Sequence, residues 1–145
     1  MTRPDGQPRG TVVLTLDARP ENLALTRLAL AGVAANAGAS REIVADLKLA
    51  VTEACTNAIQ HAYGGSDTAG SIVVRYTGEP GMLSIEIEDS GYGFEPDAPP
   101  DTIGRNGAGN GMGLMIIRVL TDELDISNTG SGTRLRLVKR FSPES

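Results

Sequence analysis

Residues 50–63, "AVTEACTNAIQHAY", predict a buried helix that carries two polar side chains beside its core stripe. The alanines and Val51 recur at helical spacing, as residues that face a core do. Glu53 and Asn57 are four residues apart, so they lie on one side of the helix and one turn from each other. Two interpretations are open: the pair faces solvent at the edge of the helix, or the helix lines a cavity.

The composition predicts a globular domain that does not bind nucleic acid directly. The chain has 145 residues, of which 40% are hydrophobic and 21% charged, enough for one core. Its formal net charge of -5 argues against a partner held through a phosphate backbone, which would need clustered Lys and Arg. With 3% aromatic residues and no Trp, it offers few surfaces on which bases or sugars could stack.

Cys55 is the only cysteine, which excludes an internal disulfide and a cysteine-based zinc site. Because it lies within the apolar helix, we expect a buried structural thiol rather than a nucleophile. The N-terminus has no apolar signal-peptide core, and no run of the chain reaches the ~18 apolar residues of a membrane span. We therefore expect a soluble, cytoplasmic protein that does not enter a membrane.

The pattern along the chain predicts one domain at 11–140, between a flexible N-terminal tail at 1–10 and a C-terminal tail at 141–145. Ser40 is the predicted cap of the second helix. The predicted elements are a strand at 11–18, helices at 20–38 and 40–63, strands at 70–78 and 81–91 joined by a turn at "GEPG", a long loop at 91–111, a helix at 112–124, and strands at 125–129 and 133–140. Strands outnumber helices and mostly cluster. We therefore predict an α+β fold, a two-layer α/β sandwich with a mixed, mostly antiparallel sheet and its helices on one face.

Glu53 and Asn57 form the first of four candidate functional groups. If their helix lines a cavity, the amide oxygen of Asn57 can bind a hard cation, and Mg²⁺ prefers few protein oxygens together with phosphates and water. Glu53, one turn earlier, can take a proton from an attacking hydroxyl or water. A pair exposed at the helix edge is the structural alternative.

Asp89 is the second candidate, at the end of the stretch "MLSIEIEDSGYGF". Three apolar residues of this strand share one face, and Asp89 continues that face. A carboxylate at the end of an inward row is costly unless it is hydrogen-bonded, and it is suited to accept from an exocyclic amine such as that of adenine. Gly91 and Gly93 follow, and glycines let a chain bend beside a flat ligand. The alternative is an Asx-turn residue that ends the strand.

The third candidate is "NGAGNGMGL", in which Gly107, Gly109, Gly111 and Gly113 open a helix. Glycines leave the backbone amides uncovered, and a helix N-terminus attracts anions, so this stretch favours phosphate binding over a plain loop. It is neither a dinucleotide-binding fingerprint nor a P-loop, because the glycine spacing differs and no lysine follows.

The fourth candidate is "GSGT", which precedes the last predicted strand. Thr133 shares a strand face with Leu135 and Leu137, so its hydroxyl is placed to reach the same cavity as Asp89. Taken alone, the stretch is an ordinary hairpin turn, and only its combination with the other three groups makes it informative.

In this order, the four groups resemble the Bergerat ATP-binding fold of the GHKL superfamily, which includes gyrase, MutL and histidine kinases. "EACTN" resembles its N box, "DSGYG" and "GNGMGL" its first two glycine boxes, and the final "GT" its third. The resemblance covers about residues 11–139. Within the superfamily, "LKLAVTEACTNAIQHAY" and "GMGLMIIRVLTDELDI" are most similar to the anti-sigma-factor serine kinases of the RsbW and SpoIIAB type.

The resemblance implies ATP and Mg²⁺ as ligands and gives each matched residue a role. Glu53 would be the catalytic base that activates a serine hydroxyl, and residues 95–110 would form a lid over ATP. Asn57 would ligate the metal, Asp89 would bind the adenine amine, and Thr133 would support the adenine end. The full set of implied nucleotide-binding residues is Asn57, Asp89, Gly91, Gly93, Gly109, Gly111, Gly113 and Thr133.

The resemblance also implies partners. The phosphate acceptor would be a serine of an anti-anti-sigma protein of the STAS fold, and the kinase would otherwise sequester a sigma factor. Relatives of this type are often homodimers, and the first helix with the first strand is the expected dimer face, because Leu23, Leu28 and Leu30 exceed a single core stripe.

Departures from the family pattern motivate other hypotheses. Gln60 stands where histidine kinases often have a basic residue. Some relatives have an arginine just before the second glycine box, where this chain has Gly109 or Asn110. The nearest arginine before the box is Arg105, which either closes onto the phosphates or stays in solvent. The alternatives are a nucleotide-dependent binding module with little kinase activity, a switch-type serine kinase acting on a stressosome-like scaffold, and a domain without ligand. His61, the only histidine, is not an expected phosphoacceptor because it lies inside the N box.

Overall fold

The sheet has five strands in the order β1-β2-β3-β5-β4, and every described pair of neighbours is antiparallel. The computed structural model describes residues 11–63, 70–89, 110–129 and 132–144. The strands are β1 Thr11–Asp17, β2 Ser71–Glu79, β3 Met82–Asp89, β4 Glu123–Asn128 and β5 Thr133–Arg140, and the helices are α1 Leu23–Asn36, α2 Arg41–Tyr63 and α3 Asn110–Leu120, with a 3-10 turn at Pro20–Asn22. The predicted α+β architecture is confirmed.

Only one face of the sheet is apolar. In β2 and β3, alternate residues are buried, because successive side chains of a strand point to opposite faces. The opposite face carries ion pairs across neighbouring strands, such as Arg75–Glu88 at 3.2 Å and Arg134–Glu88 at 2.9 Å. Exposed pairs of this kind contribute about 0.2–1 kcal/mol each. This face therefore suits solvent, and the helices cover the other one.

The helix α2 is the central element of the helical layer. Its buried stripe packs against α1, α3 and the sheet and consists of Leu47, Ala50, Val51, Ala54, Cys55, Ala58 and Ile59. The backbone N–H of Ile43 donates to Ser40 Oγ at 3.2 Å, which confirms Ser40 as the helix cap. Burial raises the pKa of the Cys55 thiol to about 12, as expected for a structural cysteine.

The direction of α2 follows from contacts at one end of the sheet. Gly81 lies in the β2–β3 turn with φ +80°, after Pro80, and its N–H donates to the carbonyl of Ala37 at 3.1 Å. At Gly38 the chain turns into α2, and Glu144 N–H donates to the Gly38 carbonyl at 2.7 Å. At ~1.5 Å rise per residue, a helix of this length spans the sheet. The C-terminal half of α2 therefore reaches the opposite end, where β3 ends.

The largest differences from the predicted element boundaries lie in the first and third helices. The first helix was predicted from Pro20, but Pro20–Asn22 forms a 3-10 turn and α1 begins at Leu23. The third helix was predicted to continue to residue 124, but it ends at Leu120. Asp122 N–H donates to the Val138 carbonyl at 2.8 Å, so the chain has already joined the sheet. Pairing with β5 thus overrides a helical pattern in the sequence.

None of the helices in the described residues combines the length and the apolar character that crossing a bilayer requires.

Candidate functional site

Glu53 and Asn57 face the first turn of α3, across the seam where α2 and α3 pack. Gly113, in that first turn, is buried. A Cβ atom built on Gly113 would lie 2.9 Å from Oε2 of Glu53 and 3.8 Å from Nδ2 of Asn57. The structure therefore brings together three of the predicted site residues, and the half-buried polar pair lies against a neighbouring helix.

The other flank of α2 shows what ordinary polar residues do in this helix. The hydroxyls of Thr52 and Thr56 each donate to the carbonyl four residues earlier, at 2.7 Å. Arg27 of α1 also donates to Thr52 Oγ1 at 3.3 Å. The two threonine hydroxyls thus bond to groups of α1 and α2. Glu53 and Asn57 differ, because their side chains lie against the glycine-containing turn of α3.

Asp89 lies at the end of β3 as the last residue of its buried row, as its position in the strand pattern predicts, and it is only 6% exposed. One of its carboxylate oxygens, Oδ1, accepts the backbone N–H of Thr133 at 3.3 Å. This bond crosses from β3 to the first residue of β5. The carboxylate is thus held in the apolar face of the sheet by the backbone of a neighbouring strand.

Thr133 is 5% exposed and shares its inward face with Leu135 and Leu137, as predicted. Within the described residues, its Oγ1 is buried and has no hydrogen-bond partner. A buried hydroxyl left unpaired costs about 1–3 kcal/mol. An orphaned hydroxyl next to a buried carboxylate is typical of a site that a hydrogen-bonding ligand or a water completes.

Gly132 lies against Asp89, and the sequence pattern did not predict this contact. A Cβ atom built there would lie 1.8 Å from the backbone oxygen of Asp89 and 3.0 Å from its Oδ1. No side chain fits at this position unless the two strands separate. The signal in the sequence is the motif "GT", which resembles the third glycine box and contains Gly132 beside Thr133.

Two groups of candidate residues lie at the same end of the sheet: the group at the α2–α3 seam, and the pair Asp89 and Thr133. Asp89 and Thr133 lie on the sheet face that α2 covers, at the end that the C-terminal half of α2 reaches. Gly111 lies in the first turn of α3, beside Gly113. The predicted site residues Gly91, Gly93 and Gly109 lie outside the described residues, as does nearly all of the predicted lid, including Arg105. Gln60 is exposed on α2.

Comparison with known families decides the assignment. The family model described as histidine kinase-like ATPase domain matches residues 16–139. The chain belongs to this family. Its predicted place in the GHKL superfamily is thereby confirmed.

Curated relatives at 30% identity or more support the RsbW type. The chain is 37% identical over 123 residues to serine-protein kinase RsbW of Listeria monocytogenes serotype 4a, with 79% of this chain and 78% of the relative covered. It is 35% identical over 136 residues to serine-protein kinase RsbW of Bacillus licheniformis, with 88% and 83% covered. The predicted similarity to RsbW-type kinases is confirmed, and the chain is a protein-serine kinase domain that uses ATP.

Solved structures show the same fold. The RsbU and RsbW domains of a Mycobacterium tuberculosis protein align with a TM-score of 0.63 at 22% identity, covering 93% of this chain and 34% of that one. The histidine kinase domain of a blue-light-activated kinase from Erythrobacter litoralis aligns with a TM-score of 0.57 at 24% identity, covering 79% and 60%. This chain therefore spans about a third of the first solved protein and less than two thirds of the second.

The described residues fit an adenine nucleotide on two observations. The unpaired Thr133 hydroxyl beside the Asp89 carboxylate offers hydrogen-bonding groups in an otherwise apolar surface, which suits a purine edge. The first turn of α3 carries Gly111 and Gly113, and a helix N-terminus with uncovered amides suits phosphates.

Proposed function

We propose that this chain is an anti-sigma-factor kinase that transfers the γ-phosphoryl group of ATP to a serine of a STAS-domain anti-anti-sigma protein. The observation that carries the proposal is the approach of Glu53 and Asn57 to the glycine turn of α3. A carboxylate, an amide and a helix N-terminus then meet where a phosphoryl group, a cation and an acceptor hydroxyl would have to meet.

The adenine base would lie at the sheet end, where Asp89 ends β3 and Thr133 begins β5. Asp89 would accept from the exocyclic amine of adenine while it accepts the Thr133 N–H. The Thr133 hydroxyl would form a hydrogen bond to the base or to an intervening water. Gly91 and Gly93 would shape this pocket. Hydrogen bonds to a charged acceptor contribute about 1.5–3 kcal/mol, so Asp89 would be the main determinant of adenine affinity.

The phosphates would lie along the seam. The backbone amides of Gly109, Gly111 and Gly113 would meet them, and the amide oxygen of Asn57 would ligate Mg²⁺. Mg²⁺ bound with ATP would neutralise phosphate charge as the phosphoryl group transfers. Asn57 supplies the one protein oxygen, which is consistent with a cation that keeps phosphates and waters as its other ligands.

Glu53 would be the catalytic base. Its carboxylate would take the proton of the acceptor serine as the serine oxygen bonds to the γ-phosphorus. The bond between that phosphorus and the oxygen bridging it to the β-phosphate breaks, and its electron pair leaves with ADP. General-base catalysis contributes about 10²–10⁴ in rate.

The partners of this kinase would bind exposed apolar surface. Of the three leucines predicted to exceed the core stripe of α1, Leu28 is 70% exposed, but Leu30 is fully buried and Leu23 packs against the core, so the prediction was wrong for those two. Leu25 is 47% exposed in α1, and in α3, Met115 and Val119 are 64% and 76% exposed. Exposed apolar patches often mark protein interaction sites. We propose that the α1 face forms a homodimer, and that the ATP-bound kinase sequesters a sigma factor in the cytoplasm.

The test is transfer of labelled phosphate from Mg-ATP to a STAS-domain acceptor. Glu53→Ala should lower single-turnover transfer by about 10²–10⁴ and leave Mg-ADP affinity within a few-fold, because the base acts only in transfer. Glu42→Ala is the matched control, since Glu42 is exposed in the first turn of the same helix. Transfer by Glu53→Ala at the wild-type rate would exclude Glu53 as the base.

A second candidate, a nucleotide-dependent binding module with little kinase activity, is motivated by the uncharged Gln60 on α2. It would capture its partner in the presence of ATP without any phosphoserine forming. The same transfer assay separates the two, because a single turnover detects even slow chemistry. Binding of a purified sigma factor separates the anti-sigma kinase from a switch-type kinase.

A further inference from the structure

Gly113 has no backbone reason to be glycine. Within the described residues, the glycines with positive φ are Gly38 and Gly81, so Gly113 has a φ that alanine adopts readily. Glycine inside a helix is about 0.5–1 kcal/mol less favourable than alanine. Something other than backbone geometry therefore accounts for a glycine at this position.

The neighbouring carboxylate supplies that reason. A Cβ on Gly113 would lie 2.9 Å from Oε2 and 3.9 Å from Cδ of Glu53, and carbon and oxygen atoms do not normally approach closer than 3.0 Å. Gly113 is buried, so the carboxylate occupies the space that a side chain would fill. The contact is with the far end of a flexible side chain, so alanine would displace the carboxylate rather than break the fold.

We propose that Gly113 is a positioning residue for Glu53: the missing side chain lets the Glu53 carboxylate lie against the first turn of α3. This inference rests on the proposed function, in which Glu53 is the base. The first turn of a helix carries partial positive charge, so it holds a carboxylate by charge as well as by shape. The role differs from phosphate binding, which would use the Gly113 amide and which alanine retains.

Displacement of the carboxylate has a specific kinetic consequence. Misplacing a reacting group by about 1 Å can cost roughly 10²-fold in rate. Gly113→Ala should therefore lower the transfer rate by about that factor, while Mg-ADP affinity stays within about threefold of wild type. A merely structural role would not separate rate from affinity in this way.

A double-mutant cycle tests the contact without any acceptor protein. Urea unfolding is measured for the full chain, Gly113→Ala, Glu53→Ala and the double variant. Removing the carboxylate removes the crowding, so Gly113→Ala should raise the unfolding midpoint in the Glu53→Ala background and fail to raise it in the wild-type background. Equal midpoint shifts in the two backgrounds would overturn the proposal.

The kinetic arm uses labelled Mg-ATP with the STAS-domain acceptor, and Mg-ADP as the binding probe. Glu53→Asp, one methylene shorter, should recover part of the lost transfer rate when combined with Gly113→Ala, although it slows transfer alone. Wild-type transfer by Gly113→Ala, or a large loss of Mg-ADP affinity that persists without Glu53, would overturn the proposal. Absence of transfer by the wild-type chain would instead reject the proposed function, while the unfolding cycle still decides the contact.

Discussion

The two halves of the site are held in place by different kinds of contact. At the sheet end, Asp89 accepts a backbone N–H of the neighbouring strand, and Gly132 packs against the backbone oxygen of Asp89. At the seam, the atom that a Cβ built on Gly113 would meet first is the terminal oxygen of the Glu53 side chain. One half is fixed by the register of the sheet, and the other by the conformation of a side chain.

This difference separates the expected effects of mutation. A side chain added at Gly132 must move backbone, so it should alter the fold and the nucleotide affinity together. A side chain added at Gly113 can be absorbed by rotation of the Glu53 side chain, so it should alter transfer while the fold and the nucleotide affinity persist.

Gly132→Ala is expected to have the largest effect. The added Cβ would lie 1.8 Å from the Asp89 oxygen, and backbone cannot rotate out of the way. We expect a loss of roughly 1–3 kcal/mol in the free energy of unfolding, as in an overpacked core, and no measurable heat with Mg-ADP in calorimetry.

Gly78→Ala is the matched control for this variant. Its Cβ would lie 2.9 Å from Val33 Cγ1 and 3.3 Å from the Val33 carbonyl oxygen, where β2 packs against α1. It should also lower stability, but a folded Gly78→Ala protein should still bind Mg-ADP. If Gly132→Ala bound Mg-ADP as tightly as the wild type, the sheet end would not be the base-binding half.

Thr133→Val should give two smaller effects of opposite sign. Valine keeps the shape but removes the hydroxyl that is buried without a partner in the described residues, so the free protein should gain up to about 1 kcal/mol in stability. Affinity for Mg-ADP should fall by roughly fivefold to tenfold if the hydroxyl contacts the base or a bound water. Urea unfolding and calorimetry measure the two effects. A stabilised variant with unchanged affinity would remove Thr133 from the binding site.

The same contrast explains what the sequence could predict. Strand periodicity is local, so the inward positions of Asp89 and Thr133 followed from their own strands and are confirmed. The requirement for glycine at 132 arises from the approach of a residue on another strand, which no local pattern reports. The Gly113–Glu53 contact joins two helices far apart in sequence, and it too needed the structure.

The wrong helix boundary has the same origin. The apolar spacing after Leu120 suits a helix as well as a strand, and the sequence prediction extended the helix to 124. Pairing with β5 decides between the two, since Leu124 lies opposite Leu137 in the register. Local patterns thus placed most elements, while contacts between distant segments set their ends.

Gly32→Ala is expected to have the smallest effect. Gly32 lies in α1 with nothing within 4 Å of an added Cβ, so alanine should raise the free energy of unfolding by roughly 0.5–1 kcal/mol, the ordinary gain within a helix. Urea unfolding of this variant gives the baseline against which alanine at Gly113 and Gly132 is measured.

Leu25 and Leu28 share the exposed stripe of α1 with Gly32, on the proposed dimer face. A gain that is independent of protein concentration means that the stripe faces solvent under those conditions. If the effect of Gly32→Ala on the free energy of unfolding depends on protein concentration, a second copy packs on this stripe. Gly32, like Gly113, would then be a glycine because another group lies against it.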